Sequence, residues 1–134
     1  MDGSYKRGKN NKQLNVLGGD LEPCVSSHDE NEIVTGFYRD NCCNTGPDDF
    51  GLHTVCCIMT KSFLTFSKSV GNDLSTPIPE YNFKGLKEGD HWCLCASRWQ
   101  EAFEAGKAPK VVLKSTNIAT ISVVKLEDLK KYTA

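Results

Sequence analysis

A chain of 134 residues has the length of one ordinary domain, long enough to bury about two-thirds of the surface its unfolded form exposes, so it needs no covalent staples to fold. Sixteen Lys and Arg stand against 17 Asp and Glu, a near balance that argues against nucleic acid or an anionic membrane as partner. No apolar stretch approaches the ~20 residues that cross a bilayer and no apolar secretory segment opens the chain, so a soluble, cytoplasmic protein is expected.

The opening "MDGSYKRGKNNK" carries Lys6, Arg7, Lys9 and Lys12 among Gly, Ser and Asn, and reads as a disordered basic tail over 1–12 ahead of one domain over 13–134. "QLNVLGG" predicts a first strand stopped by Gly18 and Gly19. "CVSSHDENEI" is polar and aperiodic, a surface loop; "VTGFYRD" suits a second short extended piece, and "CCNTGPDDFG" an irregular loop. "HTVCCIMT" is β-branched and almost continuously apolar, as a central strand covered on both faces would be.

The period then changes. In "TKSFLTFSKSVGN", Phe63, Phe66 and Val70 share one helical face, Thr60 can cap the start and Gly71 can close the end. "NDLSTPIPEYNFKGLKEGD" is too rich in Pro and Gly for either period and predicts a long ordered loop. "HWCLCA" alternates as a strand, and Ser97 opens a Ser-x-x-Gln capping box for a helix carrying Trp99 and Phe103 and ending at Gly106. "KVVLKS" and "TISVVKL" are further strand candidates, and "EDLKKY" a short closing helix, acidic first and basic last. This order predicts an α+β fold: a single-domain two-layer sandwich, a mixed sheet with helices packed mainly on one face.

Seven cysteines, an odd number, in a cytoplasmic protein are expected to be mostly thiols. With 91–96 extended, His91, Cys93 and Cys95 share a face, and a bond between the two thiols would be strained because residues two apart in a strand point in parallel. A metal site would need further ligands from Cys24, Cys42, Cys43, Cys56 and His53, and no Cys-x-x-Cys knuckle is present, so no metal residues are assigned. Cys95 lies just ahead of a helix start with Arg98 in its first turn, the setting of a reactive thiolate, although burial under Trp99 is the alternative.

"DDFGLHTVC" holds the parts of a nucleophilic site: Asp49 to orient His53, and His53 to meet a thiol. In a regular strand His53 and Cys56 would face opposite sides, so His53 would need Cys43, Cys93 or Cys95. The catalytic candidates are therefore Cys56, Cys95, His53 and Asp49. Arg98, together with Asn72 and Asp73 of "GNDLSTP", joins Asp49, His53, Cys93 and Cys95 as candidate ligand-binding residues, with loop-shaping hydrogen bonds or surface ion pairs as the plainer roles.

The phrases "NVLGGDLEPC", "TGFYRDNCCNTGPDDFGLHTVC", "FLTFSKSVGNDLSTPIPE" and "GLKEGDHWCLCASRWQEAFEAGKAPKVVL" resemble the family known as domain of unknown function 2237, over about residues 14 to 132. The resemblance implies a free-standing α+β domain and no particular activity or cofactor. In that family the place of His91 is usually an arginine, which counts against His91 as a ligand.

Together these readings predict a binding module: the loops "CCNTGPDDFGLH" and "GNDLSTPIPEYNF" forming a pocket for a small molecule or anion, floored by Cys93, Cys95 and Trp99. A thiol-dependent enzyme using Cys95 or Cys56 with His53 is the alternative, and a structural metal protein the next.

Overall fold

A computed structural model describes residues 12–25 and 33–134. The basic tail up to residue 11 and most of the "VSSHDENEI" segment lie outside the described residues. The regular elements are β1 (His53–Ile58), α1 (Lys61–Ser69), β2 (His91–Cys95), α2 (Ala96–Glu104), β3 (Lys110–Val111) and α3 (Leu126–Lys130). The strands run β2-β1-β3 with both ladders antiparallel, and a parallel bridge from Val111 to Thr133 extends the β3 edge. α2 packs on β1 and β2, and α1 packs on α2, giving the α+β arrangement expected from the order of elements.

The helix-covered face holds the main core. Val55, Cys57, Trp92 and Leu94 of the sheet meet Phe63 and Leu64 of α1 and Trp99 and Ala102 of α2. Trp99 is fully buried; its indole Nε1 donates to the Pro109 carbonyl at 3.3 Å, and its ring stacks on Phe103 with centroids 5.3 Å apart. It is a core residue, not the floor of a pocket.

Several expected elements are replaced, each time because a polar side chain or a left-handed residue takes over the backbone. "QLNVLGG" makes only isolated bridges: Asn15 Oδ1 accepts from the amides of Leu17 at 2.9 Å and Gly19 at 3.0 Å, satisfying donors that a ladder would have used. "VTGFYRD" turns instead of extending, with positive φ at Gly36 (96°) and Arg39 (57°). A Cβ on Gly36 would collide with the Cys42 carbonyl, so this turn demands glycine. "KVVLKS" yields the two residues of β3 before a 3-10 turn at Leu113–Ser115. "TISVVKL" is not a strand: its first three residues close the 3-10 segment Ile118–Ser122, capped by Asn117 through the Ala119 amide at 2.9 Å, and Leu126 opens α3. α2 begins two residues earlier than the expected capping box would start it: Cys95, not Ser97, is its N-cap, without a side-chain cap bond.

One irregularity in β1 decides the geometry of the site. His53 pairs with Cys95, Val55 with Leu94 and Cys56 with Cys93, so Thr54 is an extra residue in β1. Its amide turns back to the Leu52 carbonyl at 2.8 Å, and its hydroxyl meets that of Thr120 at 2.7 Å. A bulge shifts side-chain parity by one. His53 therefore lies on the same face as Cys56, Cys93 and Cys95, contrary to the expectation from strict alternation.

Candidate functional site

β2 is an edge strand, and a cavity of about 460 Å³ lies beside it. Its walls come from the 36–39 turn, from Asn72 and Leu74 of the long loop, from His53, from β2 and from Arg98 of α2. Among the described residues no carboxylate lines it, whereas two guanidiniums, Arg39 and Arg98, do. The turn is held against the strand edge by Thr35, whose hydroxyl accepts from the Cys93 amide at 2.8 Å.

His53 is set by its own loop. Asp49 is buried, and its carboxylate accepts from the Thr45 hydroxyl at 3.0 Å and the His53 amide at 3.0 Å. The second oxygen lies 2.6 Å from His53 Nδ1. Because an ionised carboxylate only accepts, Nδ1 carries the proton in this pair and Nε2 is the nitrogen available for chemistry. Two features of "FGLH" make the approach possible. Leu52 adopts a left-handed φ of 48°, turning the chain between Asp49 and His53, a conformation that costs a non-glycine residue about 1–2 kcal/mol. Gly51 leaves room for the ring: a Cβ there would sit 2.8 Å from His53 Cε1. Phe37 stacks on the imidazole, ring centroids 5.9 Å apart.

Cys95 pairs with His53 across the ladder and shares the cavity with it. Its sulfur lies 2.8 Å from the Gly51 carbonyl, to which the thiol donates, and 3.2 Å from the Ser97 hydroxyl. As N-cap of α2 it stands where unpaired helix amides and the helix dipole favour negative charge. Arg98, on the first turn of α2, pairs with Glu101 at 3.1 Å and reaches the Val70 carbonyl at 3.4 Å. Arg39 donates to the Gly36 carbonyl at 2.7 Å and lies over the Trp92 ring at 5.4 Å, a cation–π contact.

The other half of this sheet face is sulfur. Cys24, Cys43, Cys56 and Cys93 are buried together, and two disulfides, Cys24–Cys56 and Cys43–Cys93, replace the thiols expected there. The expectation failed because it rested on compartment alone, whereas the fold brings loop cysteines over the paired Cys56 and Cys93. Cys56, a candidate nucleophile, thus has no free thiol in this structure. The sulfurs of Cys24, Cys43 and Cys93 lie within 4.8 Å of one another, and those of Cys24 and Cys56 lie equally close to a ring nitrogen of His91. His91 Nδ1 also lies 2.8 Å from the Cys24 carbonyl. Cys42, Cys57 and Cys95 remain free. Burial pushes the Cys57 thiol well up, and burial, then the neighbouring Asp40, pushes up that of Cys42.

Of the candidate ligand-binding residues, His53, Cys93, Cys95, Arg98 and Asn72 line one cavity, with Asp49 directly behind His53. Asp73 lies apart, its carboxylate accepting from the Thr76 hydroxyl at 2.6 Å and the Ser75 amide at 2.9 Å within its own loop. The residues singled out from sequence leave out three of the cavity walls, Phe37, Arg39 and Trp92. The signal was the turn glycine in "GFYR", which brings Arg39 back over the strand edge.

A family model described as an uncharacterized protein conserved in bacteria matches residues 14–133. No curated protein matches the chain.

Proposed function

The chain belongs to the domain of unknown function 2237 family, and from that premise we propose that it is a binding module whose cavity beside β2 takes a small anionic molecule. One observation carries the reading: Arg39, Arg98, His53 and Asn72 converge on a single concavity that has no acidic lining among the described residues and is otherwise walled by Phe37, Leu74, Trp92 and Leu94. A few converging polar groups in an apolar concavity are the usual composition of a small-molecule site, and planar guanidiniums match carboxylate and phosphate oxygens. Arg98 would exchange its half-exposed Glu101 partner for the ligand at little cost, since such pairs contribute about 0–1 kcal/mol.

The test is a titration of labelled protein with succinate and, separately, inorganic phosphate, followed by amide shifts. Saturable shifts at Asn72, Leu94 and Arg98, weakened in Arg98→Ala and Arg39→Ala, are expected. Shifts that are absent, or unchanged in both variants, overturn the reading.

Thiol chemistry in the same cavity is a second reading, supported by Cys95 standing opposite a His53 whose Nδ1 is held by buried Asp49. In it Cys95 is the nucleophile, His53 the base through Nε2 and Asp49 the orienting group. Inactivation by iodoacetate with a rate that falls in His53→Gln at constant pH is the expected result. An unchanged rate rules His53 out as base.

A further inference from the structure

The two disulfides are not independent staples. Cys56 and Cys93 are paired across the ladder, their partners Cys24 and Cys43 close over them from separate loops, and the sulfurs of Cys24, Cys43 and Cys93 stand within 4.8 Å of one another. Of the four bonded cysteines, Cys93 is the one that lines the cavity. At the far end, a ring nitrogen of His91 lies within 4.8 Å of the sulfurs of Cys24 and Cys56, and His91 is partly exposed.

We propose that the four cysteines form a thiol–disulfide relay, in which the Cys43–Cys93 bond exchanges electrons with low-molecular-weight thiols entering the cavity and passes them to Cys24–Cys56. This goes beyond the anion-binding reading and does not depend on which anion the cavity holds.

The steps balance. An external thiolate attacks Cys93 Sγ, the Cys43–Cys93 bond breaks and Cys43 leaves as a thiolate that takes a proton. A second external thiol resolves the mixed disulfide, so two external thiols become one external disulfide and the Cys43/Cys93 pair gains two electrons and two protons. The Cys93 thiolate then attacks Cys24 Sγ: a Cys93–Cys24 bond forms, Cys24–Cys56 breaks, and Cys56 leaves as a thiolate protonated through His91. Finally Cys43 attacks Cys93, restoring Cys43–Cys93 and expelling Cys24 as a thiolate, which takes the remaining proton. The net transfer is two electrons and two protons from one pair to the other. Exchange requires a thiolate to reach a disulfide sulfur, and the mutual approach of three sulfurs supplies that access within the buried cluster, which the cavity meets at Cys93.

The decisive measurement is the rate at which dithiothreitol opens Cys24–Cys56 in the native protein, read by quenched differential alkylation and mass spectrometry. In Cys43→Ser/Cys93→Ser the relay predicts about tenfold slower opening of Cys24–Cys56, because its internal reductant is gone. If opening instead required loosening of the fold, losing one disulfide would make it faster. A faster or unchanged rate overturns the proposal. Should that variant fail to fold, Cys56→Ser leaves a free Cys24 beside the Cys43–Cys93 bond. Peptides joined Cys24 to Cys93 or Cys24 to Cys43 are then expected, and finding only Cys43 joined to Cys93 overturns it.

Discussion

His53 shows how much one residue's role depends on its immediate neighbours. Its imidazole is oriented by a carboxylate that makes three short contacts in a buried position, and by the absence of a side chain at Gly51. Asp49→Asn keeps the size but presents an amide to two donors, and should cost about 1.5–3 kcal/mol, the range for hydrogen bonds to charged groups, measured by urea unfolding. Gly51→Ala places a Cβ against the ring and should break the Asp49 contact without unfolding the chain, seen as loss of the protected Nδ1 proton in the NMR spectrum. The free thiols should separate by pH. A raised thiol value means less thiolate at neutral pH, so Cys42 should be alkylated at an increasing rate well into the alkaline range and Cys57 only on unfolding. Peptide mapping after iodoacetamide treatment at several pH values checks this, and modification of native Cys57 at neutral pH contradicts it.

At the scale of elements, legibility followed the strength of local chemistry. α1 was readable from its cap, Thr60 accepting from the Phe63 amide at 3.1 Å; of its expected stripe Phe63 is buried and Phe66 partly so, but Val70 is exposed, and Leu64 and Ser67 turn inward instead. Thr60→Ala should therefore cost about 1 kcal/mol and lower Tm by a few degrees in a thermal melt. β1 and β2 were readable from β-branched and alternating residues. "QLNVLGG" and "TISVVKL" looked like strands because their apolar content was counted without Asn15 and Asn117. These asparagines bind neighbouring amides, and Asn117 also donates to Gln13 at 2.6 Å and to the Cys43 carbonyl at 3.0 Å. Asp73 organises the long loop, and its carboxyl is held below the usual range chiefly by the Thr76 hydroxyl and then the Ser75 amide. A lowered value stabilises the loop above the ordinary carboxylate pKa, and that contribution fades as pH falls through the folded value. Amide exchange at Ser75 and Thr76 should accordingly quicken relative to base-catalysed expectation in acid, and Asp73→Ala should abolish that difference.

Across the whole molecule, the disulfides close spans of 32 and 50 residues between loops and the central strands. In the chain-entropy picture each contributes about 3–4 kcal/mol by restricting the unfolded chain. Cys24→Ala/Cys56→Ala should lose a stability of that order in guanidinium unfolding, and a loss under 1 kcal/mol would show that the apolar face alone carries the fold. The sheet divides the labour between its faces: one is sealed by helices through Trp99, Phe63 and Leu94, the other carries sulfur and imidazole under loops, and the cavity opens at the β2 edge where the two meet. Among the described residues no helix is long and apolar enough to cross a membrane.

Read alone, the sequence determined the α+β class, the helices and the central strand, because caps, glycines and hydrophobic period act over a few residues, and it named His53, Asn72, Cys93, Cys95 and Arg98 among the residues that line the cavity. It also determined that Cys93 and Cys95 point the same way. Tertiary structure decided the rest. The Thr54 bulge reversed the parity that would have separated His53 from Cys56, and long-range closure bonded four cysteines that spacing left unpaired. Neither is encoded by local pattern: a bulge depends on what the partner strand and Thr120 offer, and a disulfide on where two distant loops come to rest.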